Sequence, residues 1–128
     1  MTRKKLILVV EDAAASKEIF QIAIQSKDTD ILIASDGEEG VRLAFEKKPD
    51  VILLDMMLPI VSGYEAAERI KANPETKHIP IIAVTARAMD PERERALQAG
   101  CDHFIAKPFR LSEIRDAIDK FLGRRVAG

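Results

Sequence analysis

Five short aliphatic runs punctuate the chain: LILVV at 6–10, ILIA at 31–34, VILLD at 51–55, IPIIAVT at 79–85 and HFIA at 103–106. None alternates cleanly between apolar and polar positions, the pattern of strands covered on both faces. Between the runs the period lengthens. Leu111, Ile114, Ile118, Phe121 and Leu122 form a stripe at helical spacing. Ile19, Ile22 and Ala23, then Val41, Ala44 and Phe45, do the same earlier. Start signals agree. Asp36 with Glu39, and Ser62 with Glu65, have capping-box spacing. Asp90 followed by Pro91 reads as an N-cap and a first helical residue, and Gly100 and Gly123 stand where helices end. Strand and helix thus alternate five times. That order predicts a doubly wound α/β fold, with a parallel sheet, right-handed crossovers and helices on both faces. No shift in composition marks a linker, so 1–128 reads as one domain, with the tail RRVAG fraying.

Composition narrows the function. The chain has 128 residues, 47% hydrophobic and 32% charged, with a formal net charge of −1. No whole-protein field draws nucleic acid or an anionic membrane. With no tryptophan and one tyrosine, aromatic platforms for bases or flavins are scarce. The single cysteine, Cys101, excludes an internal disulfide and reads as a small buried residue. The start, MTRKKLILVVED, mimics a signal peptide, but its apolar stretch is short and runs into two acids. The expected location is cytoplasmic. His78 and His103 lack metal-ligand spacing, and His78 is expected at the surface.

The chemistry gathers at strand ends. In an open parallel sheet the functional crevice lies beyond the carboxyl ends of the strands. The first run ends in Glu11-Asp12, the third in Asp55, the fourth in Thr85 and the fifth in Lys107-Pro108. Each residue alone has an ordinary role: a cap, a turn, a strand position, a surface lysine. Together they suit one site. Three carboxylates at one rim require a cation, and hard oxygen donors suggest Mg²⁺ completed by phosphate and water. A lysine and a hydroxyl suit phosphoryl oxygens. The remaining carboxylate can act as a nucleophile that forms an aspartyl phosphate.

The pieces LILVVED, DVILLDMMLPIVSG with its Asp-x3-Pro-x3-Gly spacing, IPIIAVTA and AGCDHFIAKPF resemble the receiver domain of bacterial two-component response regulators. The resemblance covers about 4–122. It implies a flavodoxin-like (βα)5 sandwich with a five-stranded sheet in the order 2-1-3-4-5. It implies that Asp55 is the phosphoacceptor, loaded by a histidine kinase or histidine phosphotransfer protein. Glu11, Asp12, Asp55 and the Met57 carbonyl would hold Mg²⁺ or Mn²⁺, Glu11 partly through water. Thr85 and Lys107 would bind the phosphoryl oxygens. Thr85 and Phe104 would form the switch, and Lys107-Pro108 would be a cis peptide. The surface at 90–122 would then change and control a downstream protein, with the chain a monomer or a phosphorylation-dependent dimer. Such a receiver catalyses only its own phosphorylation and dephosphorylation.

Some positions depart from the family pattern. Phe104 lacks a hydroxyl, so switching would rest on ring packing. Arg110 stands where a small polar cap is usual, which predicts a weaker start to the last helix. Met57 and Arg87 occupy the positions that modulate access to the phosphoryl group and predict no unusually fast self-hydrolysis. Met56, Met57 and Leu58 are expected to narrow the rim. Glu92, Arg93, Glu94 and Arg95 read as a solvated face, or alternatively as pairs across an interface. Three other functions compete. A Mg²⁺-dependent phosphohydrolase would need a second acid near Asp55. A flavin or nucleotide binder would want Gly, Ser and Thr where Glu11 and Asp12 stand. An unphosphorylated adaptor would keep the fold without the chemistry.

Overall fold

The computed structural model describes residues 4–123. Strands β1 (Lys5–Val10), β2 (Thr29–Ala34), β3 (Val51–Asp55), β4 (Ile81–Thr85) and β5 (His103–Ala106) alternate with helices α1 (Ala14–Ile24), α2 (Gly37–Lys47), α3 (Gly63–Ala72), α4 (Asp90–Gln98) and α5 (Leu111–Phe121). All pairings are parallel, and the sheet order is β2-β1-β3-β4-β5. The flavodoxin-like order that the resemblance implied is therefore present. The tail RRVAG lies outside the described residues.

Alternate side chains of each strand serve two cores. Leu8, Val10, Ile52, Leu54, Ile81 and Ala83 pack with residues of α2, α3 and α4. Ile7, Val9, Leu53, Ile82, Val84 and Ile105 pack with Phe20 of α1 and Ile114 and Ile118 of α5. Every residue of β3 and β4 is buried, which is why neither strand alternates in sequence. Two acids lock the far end of the sheet. Asp50 Oδ2 accepts from the Leu6 N–H at 2.8 Å, and Asp102 Oδ2 accepts from the Ile81 N–H at 2.8 Å. Lys71 Nζ pairs with the same Asp102 oxygen at 2.9 Å.

Several boundaries differ from the sequence expectation. β4 starts at Ile81 rather than 79, since Pro80 has no N–H and contributes only its carbonyl, to the Ile52 N–H. The cap of α4 is Met89, not Asp90; the Met89 carbonyl accepts from the Glu92 and Arg93 N–H groups. Helix α4 closes as expected at Gly100, whose φ of 101° lets Gly100 and Cys101 donate back to the Leu97 and Ala96 carbonyls. The start of α5 is firmer than Arg110 suggested. Glu113 supplies the missing cap, its carboxylate accepting from the Arg110 N–H at 2.9 Å.

Candidate functional site

Strand register builds the site. Val10 lies opposite Leu54, so the next residues along, Glu11 and Asp55, leave adjacent strands side by side. Thr85 lies opposite Ala106, which delivers Lys107 to the same rim. Carboxylate oxygens of Glu11, Asp12 and Asp55 fall within 4.8 Å of one another. The convergence expected from the strand ends is thus realised.

The three acids are held differently. Glu11 is only 1% exposed. Its Oε2 accepts from the Asp12 and Ala13 N–H groups at 3.0 and 3.2 Å, and its Oε1 meets Lys107 Nζ at 3.0 Å. Both Glu11 oxygens are therefore engaged. Asp12 is exposed at the mouth. Asp55 is recessed, 6% exposed; its Oδ1 accepts from the Met57 N–H at 2.8 Å and its Oδ2 lies 3.5 Å from Lys107 Nζ. Burial pulls the Lys107 ammonium pKa down, but the hydrogen bond to Glu11 and the charges of Asp55 and Glu11 outweigh it and hold that pKa above its ordinary value. One ammonium faces three carboxylates, which leaves negative charge for a divalent ion to balance.

The backbone around Asp55 has no slack. The Met56 N–H donates to the Val84 carbonyl, and the Gly63 N–H donates to the Met56 carbonyl. A Cβ at position 63 would stand 2.3 Å from the Asp55 carbonyl oxygen, so only glycine lets α3 begin this close. The rim differs from expectation in one respect. Met56 and Leu58 turn into the α3-side core, 1% and 7% exposed, and only Met57 stays at the mouth, 46% exposed. Met56 follows Asp55 in a strand direction and so faces the opposite way.

Thr85 and Phe104, expected to switch, both lie near this rim. Thr85 is fully buried, and its hydroxyl accepts from the Arg87 N–H at 3.1 Å. Phe104 is half-buried. The Lys107–Pro108 peptide is cis. Cys101 is buried, and burial, reinforced by Asp102 and opposed by Lys71, pushes its thiol up to about 12. His78 is exposed, as expected.

The family model described as the response regulator receiver domain matches residues 7–119. The chain belongs to this family. The receiver is 38% identical over 119 residues to the polar-differentiation response regulator DivK of Brucella anthropi, covering 93% of this chain and 97% of that protein. Its fold matches the receiver domain of the sensor histidine kinase PA1611 from Pseudomonas aeruginosa, whose structure has a magnesium ion coordinated in the active-site cleft. That match has a TM-score of 0.86 and 34% identity, covering 94% of this chain and 98% of that one. A putative response regulator from Chloroflexus aurantiacus gives a TM-score of 0.88 at 26% identity, covering 95% of this receiver and 100% of that chain.

The sequence assigns no role to Tyr64 and reads Glu92, Arg93 and Arg95 as a solvated face, yet these four pack near the receiver's cleft. Arg95 lies over the Tyr64 ring, 4.0 Å from its centroid, and Arg93 lies over Phe104 at 4.9 Å. One oxygen of Glu92 is buried. The stretch at 92–95 is therefore only partly a solvated face. One signal was available: DPERERALQ has almost no apolar stripe, so something other than burial must attach it.

Proposed function

We propose that Asp55 accepts a phosphoryl group from a phosphohistidine on a kinase or phosphotransfer protein, in the cytoplasm. The observation that carries this is the meeting of three carboxylates within 4.8 Å beside an ammonium paired to two of them. An Asp55 oxygen attacks phosphorus, the P–N bond breaks, and the imidazole leaves with its electron pair. Lys107, already 3.5 Å from Asp55, offsets charge on the phosphoryl oxygens as they approach. The Met57 N–H and the buried β3 strand keep the nucleophile in one orientation.

The donor set fits a hard divalent ion such as Mg²⁺. Asp12 and Asp55 would hold it directly, with the Met57 carbonyl. Glu11, its oxygens taken by Lys107 and two N–H groups, would act at one remove. When bound, the ion supplies positive charge against the phosphoryl oxygens.

Thr85 couples the acceptor to the rest of the fold. Its hydroxyl, held now by Arg87, would turn to the phosphoryl group and draw the 86–89 loop inward. Phe104 then turns in, and the 90–122 surface changes for a downstream protein. Met57, apolar and exposed beside the acceptor, offers no acid to expel the leaving group of a phosphate ester, which disfavours a turning-over phosphohydrolase. Intact mass after acetyl phosphate and Mg²⁺ tests the assignment. One PO₃ is expected on the wild type and none on Asp55→Asn or with EDTA; equal labelling of Asp55→Asn would sink it.

A further inference from the structure

Helix α4 carries a set of groups that the phosphoacceptor site does not use. Ala96 is its one buried residue. Attachment comes instead from arginines, Arg95 on the Tyr64 ring of α3 and Arg93 on the Phe104 ring of β5. On the same two helices, two polar side-chain atoms are sealed from solvent with no hydrogen-bond partner: the Tyr64 hydroxyl and Glu92 Oε2. One is a donor and the other an acceptor. Glu92 and Arg95 stand three residues apart, hence on one face of α4, and Arg95 already rests on the Tyr64 ring. The groups also sense each other. Burial raises the Tyr64 hydroxyl pKa, Arg95 opposes and Glu92 adds to the rise.

Buried polar atoms without partners are rare, because they have given up water and gained nothing. Here a donor on α3 and an acceptor on α4 are both left unpaired, near enough for the Glu92 charge to act on Tyr64, and α4 is a helix that burial barely holds. The hydroxyl is sealed from bulk solvent, and the unpaired acceptor whose charge it feels is Glu92. We propose that Tyr64 and Glu92 form a latch, closed in the phosphorylated state by a shift of α4 that lets the Tyr64 hydroxyl donate to Glu92 and lifts Arg93 from Phe104. The latch rests on Asp55 as phosphoacceptor and adds a contact that the resting state lacks. A phosphoryl group favours a state only through contacts made better there. The route is short: Thr85 releases the Arg87 N–H, the 86–89 loop moves, and the Met89 carbonyl carries the first turn of α4 with it. Tyr64 and Glu92 are positioning residues; neither touches a reacting atom.

The protein contains its own probe. Tyr64 is the only tyrosine and there is no tryptophan, so near-ultraviolet emission reports on this one residue. Acetyl phosphate and Mg²⁺ are added, and intact mass is followed beside emission. Labelled wild type should lose tyrosine emission as the phenol donates to the carboxylate. Labelled Glu92→Ala should show little change. Tyr64→Phe, which keeps the ring under Arg95, should be labelled normally yet show smaller shifts of the α4 amide resonances. Label without an emission change, as a water joining the two groups in both states would give, overturns the latch alone. So does an undiminished change in Glu92→Ala. Absence of label on the wild type overturns the phosphoacceptor assignment, and the latch with it.

Discussion

Helices α4 and α5 flank the same strand, β5, and different forces hold them. α5 buries Ile114, Ala117 and Ile118 against β5 and α1. Phe109, just before it, stacks on Phe20 at 5.4 Å, and Arg115 Nε donates to the Ala23 carbonyl at 3.2 Å. α4 fully buries only Ala96, and two of its arginines lie over aromatic rings of its neighbours. Between them β5 turns Ile105 toward α5 and Phe104 toward α4. Dry apolar packing has one well-defined minimum and resists displacement. A cation over a ring is worth about 0.5–1 kcal/mol at exposed sites and tolerates sliding. Phe104, the residue proposed to switch, thus faces the helix held by the weaker contacts, and α5 on the other side is anchored by apolar packing.

The largest effect should separate the two helices directly. Ile114→Ala leaves a cavity on the α5 side and is expected to cost about 2–5 kcal/mol in urea unfolding. Leu97→Ala on α4, at a residue 57% exposed, should stay within about 0.5 kcal/mol. Comparable losses at both positions would end the contrast.

That contrast was only half legible in the sequence. The α5 stripe of Ile114, Ile118 and Phe121 announces its own packing, since burial at helical spacing leaves a periodic record. So do β3 and β4, apolar throughout because both faces are covered. The acids and Lys107 were legible because strand ends in a parallel sheet project to one rim. Met56 was misplaced because its direction depends on where β3 stops. Asp90 was misjudged as a cap because Asp-Pro fits either of two positions one residue apart. The Tyr64–Glu92 seam leaves no periodic record. It would join one side chain on α3 to one on α4, which no spacing along the chain records.

The next effect has the opposite sign. In the resting state the Tyr64 hydroxyl is a buried donor without a partner, and Tyr64→Phe removes it while keeping the ring. Stability should rise by up to about 1 kcal/mol. A loss of that size would mean that the hydroxyl is already bonded, and α4 would be better tethered than the contrast holds. Arg93→Ala comes third. It removes the guanidinium from Phe104 and should cost about 0.5 kcal/mol. Proton NMR should show the Phe104 ring shifted toward its inward environment without any phosphoryl group.

The smallest effect sharpens the α5 side. His103, half-buried on β5, lies 6.2 Å from the Phe121 ring of α5. Burial, assisted by the charge of Lys120, lowers its pKa below 6.5. The unfolded chain therefore takes up this proton first as pH falls. His103 contributes stability that is fully present above about pH 6.5 and lost as pH drops through that value toward the folded pKa. Urea unfolding at pH 7 and pH 5, wild type beside His103→Gln, isolates the term from the carboxylates that titrate in both proteins. The wild type should lose more stability over that interval. An equal loss would mean that water reaches His103 freely, and that α5 seals its side of β5 no better than α4 seals the other.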